Sequence, residues 1–152
     1  MNVEYINPFL TSALAFFRDY LGMQIENGMP YLEPEPENIG GISGIISLTG
    51  DVRGSIVLNF PRATAFEVAG AFAGISFRAV SKVFIDAVGE MVNIVAGSAK
   101  QHTESRIDIS VPGVVVGDNY KLCWGQDIPV VAIPLGTPYG PLRILVSIKE
   151  GA

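Results

Sequence analysis

The chain has 152 residues, 49% of them hydrophobic and 16% charged, which fits one folded domain spanning residues 1–152 and excludes a disordered chain. Its net charge is −5, and no basic cluster interrupts the sequence. Nucleic acid and anionic membrane are therefore poor partners, and another protein or a small molecule fits better.

The first stretch, MNVEYINPFL, lacks a basic start and a long apolar run, so no signal peptide is expected. Asn7 and Pro8 predict a helix start, with Asn as N-cap and Pro in the first turn. The helix then carries Phe9, Leu10, Ala13, Phe16, Phe17 and Tyr20 at helical spacing and stops at Gly22. The run PYLEPEPENIGG predicts a short edge strand and a loop. GISGIISLTG and GSIVLNF predict an antiparallel hairpin joined at TGDVRG. Pro61 opens a second helix that Gly74 closes, and a third is expected from Ser81, its N-cap, to His102. The last third predicts four strands, RIDISVPGVVVG, YKLCWG, IPVVAIPLG and PLRILVSIKE. The expected class is α+β (mixed α/β): a large, mostly antiparallel sheet with long helices on one face, in two pseudo-repeated halves. No run reaches the eighteen apolar residues of a membrane span, so a cytoplasmic location is expected. The single cysteine, Cys123, permits no internal disulfide and reads as a buried small hydrophobe.

The third helix holds the unusual feature. At about 100° per residue, Asp86, Glu90 and Asn93 share one narrow face. Phe84, Val88, Met91 and Val95 lie opposite, with Val83, Ile85, Val92 and Ile94 on the flanks, so the rest of the circumference is expected to be buried. Gly97 falls on the polar stripe and Gly89 at its edge. Glycine inside a helix costs up to about 1 kcal/mol relative to alanine, so two of them predict a close approach to the backbone. By spacing alone the stripe reads first as a solvated helix face. Asn93 argues against that, because asparagine is a weak helix former.

The ordered set in DAVGEMVN (Asp86, three residues, Glu90, two residues, Asn93) resembles the CheC/CheX/FliY chemotaxis phosphatases. EYINPFLTSAL, GISGIISLTGDVRGSIVLNFP and GEMVNIVAGSAK look CheX-like, so the resemblance covers nearly the whole chain. CheC-like members carry such a motif in each half. Here Glu4 and Asn7 have the Glu-x-x-Asn spacing, but Asn7 reads as a helix cap, which leaves one site. The family pattern also has a proline about twenty residues after the Asn; Pro112 is the nearest, slightly early, and receives no role.

The resemblance implies a CheC-like fold and hydrolysis of the phospho-aspartate of a CheY-like response regulator. The regulator would bring the phosphoryl group, a lysine and a divalent metal such as magnesium, and this chain would bind no cofactor itself. Asn93 would orient the attacking water and Glu90 would pair with the regulator's lysine. Asp86 would lie at the edge of the contact, and by our own inference Gly89 and Gly97 would leave room for the partner's surface. The resemblance also implies a homodimer formed through the sheet, for which the apolar runs PVVAIPL and LRILVSI are candidates. A non-catalytic module that docks a regulator or motor component is the alternative, although docking alone would not need the amide. A small-ligand sensor would need a pocket that no residue announces. The lone histidine, His102, reads as a surface or helix-end residue, and no residue set has metal-ligand spacing.

Overall fold

The computed structural model describes residues 3–36, 38–125 and 128–151. Helix α1 spans Val3–Leu14 and continues as a wider π-helical turn over Ala15–Tyr20. Strands β1 (Glu26–Asn27) and β2 (Tyr31–Leu32) are short. The hairpin β3 (Asn38–Gly50) and β4 (Val52–Phe60) follows, then α2 (Arg62–Ala73) and α3 (Lys82–Ala99) with a 3₁₀ turn at Lys100–His102. Strands β5 (Ile107–Ile109), β6 (Gly113–Lys121), β7 (Val131–Thr137) and β8 (Gly140–Glu150) complete the chain.

The strands form one eight-stranded sheet in the order β1-β7-β8-β4-β3-β5, with β2 also on β7 and β6 also on β3. Every pairing is antiparallel. Two hairpins, β3–β4 and β7–β8, join through β4 and β8. At Gly54 a Cβ would lie 1.8 Å from the Ser147 carbonyl oxygen, so only glycine lets β8 come this close.

One sheet face presents Ile42, Ile46, Ile56, Leu58, Ile144 and Val146 to the three helices, in the main core. Alternation sends the intervening residues to the other face. There Ile39, Val57, Val130, Ala132 and Leu145 form a smaller cluster covered by Tyr120, Leu122 and Trp124. A polar chain runs beside it. Arg143 pairs with Glu33 and its second nitrogen donates to Asn59 Oδ1 at 3.4 Å. The Asn59 amide donates to Ser43 Oγ at 3.0 Å, and Ser43 meets the Tyr120 hydroxyl. Burial pushes the Tyr120 phenol above its ordinary pKa.

Several expectations change. Helix α1 is already helical at Val3, so Asn7 is an interior residue and not a cap, and Pro8 sits buried inside the helix. The predicted strand over 106–117 breaks at 110–112, beside Pro112, and the sheet resumes at Gly113. YKLCWG leaves the sheet after Lys121; Trp124 then donates to the Pro36 carbonyl at 2.6 Å. Cys123 is exposed rather than buried, because the strand has ended before it. The C-terminal runs are not an open edge. β8 is interior, and β7 is covered by β1 and β2 on its outer side. The long outer strand is β6, which among the described residues pairs with β3 alone.

Candidate functional site

The orientation of α3 follows from three local features. Ser81 caps its start: the Phe84 amide donates to Ser81 Oγ at 3.1 Å. Phe84, Val88, Met91, Val92 and Val95 are fully buried and turn one side of the helix into the core. Gly44 on β3 lets the helix settle close to the sheet, since a Cβ there would come within 3.0 Å of Val92 Cγ1 and 3.2 Å of the Val88 carbonyl oxygen.

With that side fixed, Asp86 and Glu90 are exposed and Asn93 and Gly97 are half-buried. Glu90 and Asn93 are three residues apart on one helix, so their side chains are neighbours on one rigid element. Among the described residues, no hydrogen bond or ion pair engages the side chain of Asp86, Glu90 or Asn93. The contrast with Asn59 is direct. Its amide nitrogen donates to the Gly40 carbonyl at 2.8 Å and to Ser43, and its oxygen accepts from Arg143. Asn59 is a structural amide with its capacity used. Asn93 makes none of these bonds among the described residues, so its amide donors and its oxygen acceptor stay open.

The two glycines meet side chains of this chain itself. Gly89 is buried, and a Cβ there would lie 3.5 Å from Pro112 Cγ and 3.6 Å from Val114 Cγ2. The room that Gly89 leaves is thus occupied by the turn between β5 and β6. Gly97 would meet Ile109 Cδ1 at 3.9 Å. Pro112 therefore lies against α3 one residue before Glu90, a tertiary contact invisible to helical periodicity. Two expected flank residues, Val83 and Ile85, are exposed rather than buried. Val83 lies seven residues before Glu90, two turns along the same line, so the exposed arc is wider than the polar residues mark.

The polar stripe lies on a helix face. An open cleft of about 670 Å³ lies at Arg18, Ile25 and Pro138, and none of the three polar α3 residues lines it. Among the described residues, no group of three or more His, Cys, Asp or Glu is placed to hold a metal ion. Among the described residues, no helix is long and apolar enough to cross a membrane. His102, at the 3₁₀ turn, is exposed.

An antiparallel sheet covered on one face by three helices is the architecture of the CheC-like superfamily. A CheC-like protein from Shewanella sp. PV-4 superposes with a TM-score of 0.87 at 28% identity, covering 99% of this chain and 100% of that one. The sequence model of the chemotaxis phosphatase CheX matches residues 42–136, so the chain belongs to the CheX family of chemotaxis phosphatases. A relative from Thermotoga maritima, the CheY-P phosphatase CheX, is 28% identical over 126 residues, covering 80% of this chain and 81% of its own length. CheX from Borrelia burgdorferi, solved in complex with CheY, BeF3 and magnesium, is 27% identical with a TM-score of 0.83, covering 98% of this chain and 100% of that one.

Proposed function

We propose that this protein hydrolyses the phospho-aspartate of a CheY-like response regulator, with Asn93 and Glu90 as its working side chains. The observation that carries this is the uncommitted Asn93 carboxamide beside an exposed Glu90 on a capped helix. The relatives support the substrate: one is a CheY-P phosphatase and another was solved bound to CheY.

An acyl phosphate is already reactive, so the catalyst's main task is to hold water in line with phosphorus. The Asn93 oxygen accepts from that water and its amide can donate to it, which orients a lone pair toward phosphorus without a full base. Water oxygen bonds to phosphorus, and the bond from phosphorus to the aspartyl oxygen breaks. Both of the water's protons end on the phosphate, which leaves as dihydrogen phosphate and can give one to solvent, and the aspartate is released as a carboxylate. Glu90 pairs with the regulator's lysine and fixes the docked register. Asp86 contacts the partner at the edge of the stripe. Gly97 keeps the helix thin beside Asn93, and Gly89 acts through Pro112, which it seats. The divalent metal, magnesium in the Borrelia complex, belongs to the regulator's side of the reaction.

The test is phosphate release from a phosphorylated CheY-like receiver domain. Asn93→Ala should lower the single-turnover rate at least about 100-fold while leaving affinity nearly intact, in the range seen when one transition-state hydrogen-bonding group is removed. Retention of most of the activity would refute the role of Asn93.

The same reading includes a homodimer. Its natural seam is the outer edge of β6, because β8 is interior and β7 is covered. Pairing β6 with its copy would satisfy that edge's backbone groups across a two-fold axis.

A further inference from the structure

We infer that exposed apolar residues N-terminal to and beside the Glu90 and Asn93 pair form a docking collar for the phosphorylated receiver domain, and that they supply most of the affinity while Asn93 sets turnover. The inference rests on the function proposed above. Val83 is 53% exposed and Ile85 36%, although both lie on a helix whose other apolar residues are mostly buried. Val83 sits two turns before Glu90 on the same line, and Ile85 one turn before Gly89. Across Gly89 stands the turn between β5 and β6. Pro112 rests against the helix there, and Val111 beside it is 87% exposed. Two separate segments thus bring exposed apolar groups to the borders of one polar stripe.

An exposed charge pair contributes about 0–1 kcal/mol and cannot hold a protein partner by itself. Affinity needs apolar area withdrawn from water around it. The collar supplies that area next to Glu90. A second copy of this chain seated on the collar would compete with the substrate for Glu90, and the relative solved bound to CheY supports the substrate domain as the occupant. The open edge suited to self-association is β6 instead.

Val111→Asn and Val83→Gln test this without adding charge, so lost affinity would report lost apolar contact rather than new repulsion. Both side chains are largely exposed, so the fold should tolerate the changes. The probe is a CheY-like receiver domain loaded with beryllofluoride and magnesium, for binding, and its phosphorylated form, for turnover. Each variant should weaken binding and raise KM about five- to tenfold, and the double variant more, with kcat unchanged. Wild-type affinity in the double variant, or a fall in kcat at unchanged KM, would overturn the collar. Asn93→Ala, measured beside them, separates the two ideas. If it retains activity, the proposed function falls; if it is inactive while the valine variants bind as wild type, only the collar falls.

Discussion

Asparagine stabilises a helix interior less than alanine by roughly half a kcal/mol, so Asn93 in the middle of α3 runs against local propensity. Asn59 offsets its own cost of burial by bonding in three directions, whereas Asn93 makes no such bond within the described residues. A residue that breaks a local preference and gains nothing from its own fold is best explained by something outside it. The carboxylate beside it can be tested separately. Glu90→Gln keeps the shape and removes one charge, so affinity for the beryllofluoride-loaded regulator should fall about three- to tenfold at low salt and depend less on ionic strength. Equal salt slopes for the two proteins, with equal turnover, would exclude a lysine partner for Glu90. The shared face of Asp86, Glu90 and Asn93 was legible in the sequence because helical periodicity alone sets it. The seat of Pro112 on Gly89 was not, because it joins residues 23 positions apart through the path of a loop.

At the scale of elements, sequence signals worked where one residue type has one physical use. Ser81 reads as a cap and is one, and Gly74 ends α2 in a left-handed conformation with φ of 69°. Signals failed where two uses compete. Asn7-Pro8 satisfies the rules for a helix start, yet burial of Ile6 and Phe9 extends α1 upstream and places Pro8 inside it. RIDISVPGVVVG is apolar enough to read as one strand, but β5 and β6 pair with different stretches of β3: Leu48–Gly50 for β5, and Asn38–Ile45 for β6. The cap of α3 has a measurable consequence, since it anchors the helix that carries the site. Ser81→Ala removes the acceptor for the Phe84 amide and should destabilise the protein by about 1 kcal/mol in urea unfolding. Single-turnover dephosphorylation at saturating regulator should stay near wild type, because Asn93 lies three turns beyond the cap. Unchanged stability would mean that water replaces the hydroxyl at no net cost.

For the whole molecule, the arrangement of the sheet decides which surfaces remain for assembly. Prolines are expected near strand ends, and Pro138 follows β7 while Pro141 is the second residue of β8; Pro134 instead lies inside β7, facing the gap between β1 and β2, where its carbonyl accepts from Gly28 at 2.9 Å. Which strand ends up outermost is a property of strand order, and apolar content could not reveal that LRILVSI becomes the central β8. The outer strand β6 carries Val114, Val115 and Val116 half-buried, beside backbone groups that point away from β3. If two copies pair there, Val115 of each meets a sheet that continues across the two-fold axis. Val115→Lys would place like charges on both sides of that seam, which opposes edge pairing. The wild-type protein should therefore sediment as a dimer at tens of micromolar and the variant as a monomer. Turnover per subunit should be retained, because Asn93 and Glu90 lie on α3 and need no residue from a second copy. A wild-type monomer at that concentration would remove β6 as the seam. A dimer unchanged by Val115→Lys would move the interface to another surface and leave the proposed site on α3 untouched.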